Sequence, residues 1–289
     1  MNIKNKKYSL FLASLISITA ASFVNAGTMG PVHNASSGKL YVGFLGGGGG
    51  ATRVNLVQEG TALLNYNSTG SSINNGGPLA VNAFGQSNTS SVWLAGGQVG
   101  YRWSERAPNL FGSNWSFAPA TELEGFYLGR SAMLGEHLIN ETTRLLEHDF
   151  RVTYPMHTGV FLANGILHAR SSGFGRFQPY VGIGAGAAVI SISGANSLQI
   201  SPLEAGVNHY NSDASATNLV FAAQPKVGVS FNLTDHSVMN LEYRFLYLSA
   251  SNYTLGSTVY PTHVATTNWG VKMGSQFYNM GTVGVQFDI

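Results

Sequence analysis

The charged residues of this 289-residue chain are few, and several of them stand two apart, as Glu122 does from Glu124 and Glu242 from Arg244. Successive side chains of an extended chain point to opposite faces, so residues two apart share one face. Lys39, Arg102 and Lys226 occupy the same polar phase in their own segments, which gives a set of four cations and three carboxylates. Buried charges are tolerated only when paired and hydrogen-bonded. The chemistry expected of this set is therefore mutual neutralisation inside a closed structure, with a narrow polar conduit as the alternative.

Residue types suited to catalysis or to holding a cofactor do not assemble into a motif. His157, His168, Ser171 and Ser172 are the candidates for a hydrolase, yet no Gly-x-Ser-x-Gly or His-Glu-x-x-His pattern is present. Segment 134–149 carries Glu136, His137, Glu141, Glu147, His148 and Asp149, and its leucines recur near helical spacing. A short helix there would place His137 and Glu141 on one face, but no recognised metal-ligand spacing completes the pair. Gly182, Gly184 and Gly186 imitate half of a nucleotide fingerprint without a following helix, and the glycine run 46–50 lacks the lysine of a phosphate loop, so it reads as a flexible strand exit. No enzyme activity, cofactor or metal site is expected.

The segments that must position these charges alternate apolar and polar residues. In 238–249, Met239, Leu241, Tyr243, Phe245 and Tyr247 share one face, and Asn240, Glu242 and Arg244 share the other. Segment 218–233 sets Leu219, Phe221, Val227, Val229, Phe231 and Leu233 against Gln224, Lys226, Ser230 and Asn232. The last residues set Val283, Val285, Phe287 and Ile289 against Thr282, Gly284, Gln286 and Asp288. Further strands are expected at 40–45, 92–103, 115–128, 177–192 and, with Phe161 out of phase, 152–164.

Composition says what those faces meet. Charged residues are 10% of the chain, 36 residues are glycine and none is cysteine, where soluble domains average about 25% charge. Lys4, Lys6 and Lys7 precede the apolar run 10–24, which ends at Val24-Asn25-Ala26 before Gly27; this predicts a secretory signal peptide over 1–26 and a mature chain over 27–289. Removing 1–26 takes three lysines and no acid, so the mature chain is near neutral and nucleic acid is excluded as a partner. Beyond the leader no apolar stretch is long enough for a membrane helix. Strands cross a bilayer only by closing into a ring that pairs every backbone group.

The expected fold is therefore all-β: a transmembrane antiparallel up-and-down β-barrel of about eight strands with long extracellular loops. Long connections at 46–91, 129–151, 193–217 and 250–275 alternate with short ones at 104–114, 165–176 and 234–237, which places both chain ends in the periplasm. Trp93, Tyr127, Phe221, Tyr247 and Phe277 fall toward one rim, and Tyr101, Trp103, Trp115, Phe117, Phe177, Phe231 and Phe287 toward the other, as two aromatic girdles. Pro119, Pro155, Pro179 and Pro225 each remove a ladder donor and require bulges or strand ends. A hairpin around 52–84 would raise the strand count to ten.

The C-terminal run Thr282-Val283-Gly284-Val285-Gln286-Phe287-Asp288-Ile289 resembles the signal by which outer-membrane barrels are recognised by their assembly machinery, with Thr282, Gly284, Phe287 and Ile289 at the key positions and Ile289 where that pattern has an aromatic. Gln178-Pro179-Tyr180-Val181-Gly182-Ile183-Gly184-Ala185-Gly186, Val227-Gly228-Val229-Ser230-Phe231 and Leu241-Glu242-Tyr243-Arg244-Phe245 resemble strands of opacity-type and OmpA-type eight-stranded surface barrels. Gly27-Thr28-Met29-Gly30-Pro31-Val32 is similar to the mature start of major outer-membrane proteins of intracellular γ-proteobacteria, which usually carry cysteines. The resemblance implies a Gram-negative outer-membrane location among outer-membrane lipid and lipopolysaccharide. It also implies a role as surface antigen or adhesin-like structural barrel, meeting a host or surface ligand through loops rich in Asn, Ser, Thr and Gly, such as Tyr66-Asn67-Ser68-Thr69-Gly70-Ser71-Ser72. A small porin is the alternative, and a barrel hydrolase the third.

Overall fold

A computed structural model describes residues 38–63, 78–104, 115–130, 132–140, 148–261 and 263–289. The expected leader, the start at 27–32, the tract 66–72, and Glu141 with Glu147 lie outside the described residues. Fifteen strands form among those described: β1 (Lys39–Ala51), β2 (Asn55–Ala62), β3 (Leu79–Gln86), β4 (Ser90–Arg102), β5 (Trp115–Arg130), β6 (Met133–Asn140), β7 (His148–Tyr154), β8 (Met156–Ser171), β9 (Phe177–Ile192), β10 (Asn196–Ser201), β11 (Ala216–Asn232), β12 (Ser237–Leu248), β13 (Ser251–Leu255), β14 (Trp269–Met273) and β15 (Gln276–Asp288).

Eight of them close a barrel in the order β1-β15-β12-β11-β9-β8-β5-β4, every neighbour antiparallel. The first and last strands seal the ring, with Tyr41 opposite Asp288 and Ala51 opposite Tyr278. β9 spans the residues expected of it, and the strands at 92–103, 115–128, 218–233 and 238–249 shift only at their ends. Two expectations are corrected. The glycine run 46–50 is not a flexible exit but the upper half of β1, paired on both sides. A Cβ on Gly49 would lie 1.9 Å from the Asn279 carbonyl oxygen, and one on Gly47 2.1 Å from that of Gly281, so the close approach of β15 demands glycine there. The strand at 152–164 is instead broken at Pro155, where β7 ends in the head described below and β8 begins in the barrel. The phase runs on unchanged through the break, with Val152, Tyr154, Val160 and Leu162 buried and Phe161 outward, so the apolar face of this segment is the inward one and Phe161 belongs to the exterior.

Apolar side chains cover the barrel's exterior: Phe44 is 69% exposed and Ile183 72%, and Trp93, Leu123, Phe161, Val181, Leu219, Val227, Leu241 and Val283 are exposed alongside them. A contiguous exposed apolar belt of this extent is the surface of a barrel solvated by lipid. Aromatic rings touch in two groups along it. Trp93 lies against Tyr127 (5.3 Å between centroids) and Tyr247 against Phe277 (5.4 Å) at one rim, with Tyr101 against Trp103 (5.5 Å) and Phe177 against Phe231 (5.1 Å) at the other.

The prolines fall where a ladder donor is dispensable. Pro119 lies one residue past the end of the β4–β5 ladder, and Pro179 one residue past the end of the β8–β9 ladder. Pro225 sits in mid-strand; the β11–β12 ladder omits it and Gln224, then resumes at Lys226 opposite Arg244 in unchanged register. No bulge is needed.

The four long connections do not stay loops. They supply the other seven strands, which join in the order β10-β7-β6-β3-β2-β14-β13 as a second sheet, the head. The hairpin anticipated near 52–84 forms as β2 and β3, but in the head rather than in the barrel wall, so the wall keeps eight strands. Segment 134–149 is not helical where described. It is strand β6, whose register slips between Gly135 and Leu138 and whose His137 takes a φ of 54°. The chain around 208–213 bridges the two edges of this sheet: His209 N donates to Ser197 O (2.9 Å) beside β10, and Gly256 N to Asp213 O (2.6 Å) just past β13.

Candidate functional site

Inside the barrel, the polar face of seven strands converges on one cluster. Glu122 and Glu124 project from β5, Lys226 from β11, and Glu242 and Arg244 from β12, all at most 9% exposed. Lys226 Nζ reaches Glu122 Oε1 at 2.8 Å, Glu124 Oε2 at 3.4 Å and Glu242 Oε2 at 3.8 Å, while the Arg244 guanidinium binds both Glu124 and Glu242. Three carboxylates share two cations here, and neutral donors supply the rest. Tyr41 donates to Glu122 (3.0 Å), Asn164 to Glu122 (3.0 Å) and Glu124 (2.9 Å), and Gln224 to Glu124 (3.0 Å). Tyr180 and Thr282 each donate to Glu242 at 2.8 Å. A buried charge costs several kcal/mol to desolvate (about that order), and this density of charge-assisted hydrogen bonds is what offsets it.

Two residues expected in this cluster stand elsewhere. Lys39 is not in the lumen: its side chain is 55% exposed at the rim and donates to Asp288 at 2.9 Å. As the first residue of β1 it lies where the barrel opens to solvent, and a lysine there keeps its ammonium hydrated. Arg102 is buried but belongs to a separate layer, donating to Gln286 (3.0 Å), 3.6 Å from Asp288 and stacked over Tyr41 at 5.2 Å. Tyr41, Asn164, Tyr180 and Asp288 were not singled out from sequence as members of these layers. Tyr41 shares the phase of Lys39 and Asp288 that of Thr282 and Gln286, whereas Asn164 and Tyr180 lie on strands that carry no charge of the cluster and share the inward phase of His168 and Gln178.

Of the C-terminal residues, Thr282 and Gly284 turn inward, whereas Phe287 and Ile289 are exposed, and Ile289 N closes the ring by donating to Leu40 O at 2.9 Å. The hydrolase candidates do not meet. His157 accepts or donates to Tyr127 Oη (2.6 Å) on the outer wall, and His168 is buried in the lumen 5.1 Å from the Tyr180 ring. Ser171 ends β8, and the Ser172 side chain lies outside the described set. His137, expected beside Glu141, is instead an exposed head residue 3.9 Å from Asp149.

Toward the head the lumen turns apolar. Arg244 rests over the Phe126 ring (5.6 Å), and above it Leu45, Leu94, Leu128, Val160, Leu162, Ile190, Leu246 and Met280 fill the bore. The same cluster continues without a break into the head through Leu56, Met133, Leu138, Phe150, Val152, Trp269, Val271 and Met273. At its centre Gln58 Oε1 accepts from Tyr210 Oη (2.7 Å) and Ser197 Oγ (2.8 Å), and Tyr210 pairs with Tyr154 Oη (2.9 Å). Gln58 lies on β2 and Ser197 on β10, four strands apart, so the head sheet curls until its β10 edge faces β2 across its interior. Burial raises the hydroxyl pKa of Tyr154 and Tyr210 and pushes that of Tyr253 up to about 12.

No family model matches the chain, and no curated protein matches it. Among solved structures it is similar to the outer membrane protease OmpT from Escherichia coli, at 8% identity over 91% of this chain and 100% of that one, TM-score 0.38. It is similar also to the outer membrane protein OprG from Pseudomonas aeruginosa (12% identity, 86% and 96% covered, TM-score 0.35). A third is Ail, the attachment invasion locus protein of Yersinia pestis (13% identity, 83% and 99% covered, TM-score 0.24).

Proposed function

We propose that this protein is a bacterial outer-membrane surface barrel with a structural or adhesin-like role, acting through its head and not through its lumen. The observation that carries the reading is the bore itself: the Glu122, Glu124, Lys226, Glu242 and Arg244 cluster occupies one level and an apolar plug the next. An eight-stranded barrel is only wide enough for its own side chains. The apolar exterior and aromatic rims support a membrane location, and a head whose core is continuous with that of the barrel is a rigid scaffold from which a surface ligand, such as a host molecule or lipopolysaccharide, is held. We assign no catalytic role, since His157 and His168 lie on opposite sides of the wall.

Purified protein in planar bilayers tests this. The expected result is no steady unit conductance, together with capture of the barrel on host-cell or lipopolysaccharide-coated surfaces. Steady channels whose conductance shifts in Glu122→Gln or Arg244→Gln would replace this reading with that of a small porin.

A further inference from the structure

One cluster in the head has the makings of a metal site. Glu204 follows β10, His209 lies in the bridging segment, and His263 comes from the connection between β13 and β14. Their ligand atoms all lie within 4.8 Å of one another. Glu204 Oε2 stands 3.6 Å from His209 Nε2 and 3.2 Å from His263 Nε2. The two imidazoles are perpendicular, with centroids 5.3 Å apart.

The orientation of both rings is fixed by their other nitrogen. His209 Nδ1 lies 3.0 Å from Ser197 O, and His263 Nδ1 2.6 Å from Val264 O. A carbonyl only accepts, so each Nδ1 carries a proton, and in the neutral form of either ring the lone pair is left on Nε2. Those lone pairs face Glu204 Oε2, a buried oxygen with no hydrogen-bond donor. With both rings neutral, three acceptors converge on one point, an arrangement that repels itself unless a proton or a metal cation stands between them. Donation of Nδ1–H to a backbone carbonyl is also how metal-binding histidines are usually oriented.

We propose that Glu204, His209 and His263 bind a divalent transition metal of the zinc class, with the fourth position left to water. Tetrahedral zinc with bonds of about 2.0–2.2 Å spaces its ligand atoms by roughly 3.4 Å, close to the 3.6 and 3.2 Å that separate Glu204 Oε2 from the two Nε2 atoms. His209 is 3% exposed, with the Phe150 ring 5.3 Å and the Trp269 ring 5.8 Å from its own, so packing holds the imidazole in place. The ligand-bearing segments are already tied together. Thr258 Oγ1 donates to His209 O (2.9 Å), Asn208 N to Tyr260 Oη (3.1 Å) and Asn211 Nδ2 to Val259 O (2.7 Å). A metal would therefore clamp the place where the two edges of the head sheet are bridged.

The full chain, purified in detergent and stripped with a chelator, would be titrated with Zn²⁺ by calorimetry and with Co²⁺ by visible absorption. The expected result is one equivalent of zinc and the intense visible band of four-coordinate cobalt. Glu204→Gln and His263→Ala lie at the more exposed side and leave buried His209 in place, so they test the site in a folded head. Each should weaken zinc binding more than 100-fold, because even outer-shell partners are worth about 10–100-fold. His236→Ala, exposed in the turn between β11 and β12 at the far end of the barrel, should leave it unchanged. Absence of saturable binding, or one-equivalent binding indifferent to Glu204→Gln and His263→Ala, would overturn the proposal.

Discussion

Arg244 on β12 and Glu124 on β5 stand on opposite walls of the barrel, four strands apart whichever way the ring is followed, and their side chains join in the middle of the lumen. Neighbouring strands are held by backbone ladders; this pair braces the ring across its diameter. Arg244→Met removes the brace and leaves Glu122, Glu124 and Glu242 with Lys226 as their nearest cation. Breaking a buried pair from one side costs about 3–5 kcal/mol. Urea unfolding in lipid vesicles, followed by tryptophan fluorescence, should report a loss of that size, and a variant as stable as the parent would show that the brace bears no load.

The glycine run gives a sharper contrast within one strand. Gly49→Ala sets a methyl 1.9 Å from the Asn279 carbonyl oxygen, whereas at Gly50 the nearest atom, Ser90 O, is 4.0 Å away. Gly49→Ala should destabilise the barrel by about 1–3 kcal/mol or more, read as loss of the folded, heat-modifiable form in gels. Gly50→Ala should fold normally, and equal behaviour of the two would mean that β15 does not approach β1 as closely as described.

Alkali should loosen the head. Burial raises the pKa of Tyr154, Tyr210 and Tyr253, the last up to about 12, from an ordinary 10.0. The unfolded chain ionises first, so the contribution of these tyrosines to stability is complete below pH 10 and declines as the pH climbs toward 12 and beyond. Spectrophotometric titration should show an early tyrosinate fraction and a late one, the late fraction shrinking in Tyr253→Phe. Simultaneous ionisation of every tyrosine near 10 would contradict this.

Orientation is open to a direct measurement because the chain has no cysteine. Leu203→Cys and Val259→Cys, 76% and 61% exposed in the parent head, should react with a membrane-impermeant maleimide on intact cells. Asp235→Cys, in the turn between β11 and β12, should react only after the cells are opened. The reverse pattern would invert the topology.

The barrel was legible wherever side chains alternate cleanly, as in β11, β12 and β15, because lipid on one side and a packed polar bore on the other impose a period of two. It was illegible in the upper half of β1, where glycines carry no side chain to alternate, and at Pro155, where one apparent strand is two. The head was hidden for a different reason. In β6 the slip between Gly135 and Leu138 resets which residues point inward, from Met133 and Gly135 to Leu138 and Asn140, so its pattern looks helical. The lumen charges were readable from phase, except that Lys39 shares the phase and lies beyond the end of the bore. Glu204, His209 and His263 share neither strand nor spacing; they meet only because the bridging segment folds across the head.

The apolar cluster that runs unbroken from Phe126 and Leu246 up to Phe150 and Trp269 has an evolutionary consequence. Loops that merely decorate a barrel can change sequence freely. Here a substitution at an inward head position also disturbs the cluster that fills the bore, so free sequence change is open only to outward-pointing residues. Lineages of this protein should therefore vary along head strands at every second position, with the alternation breaking step where β6 slips.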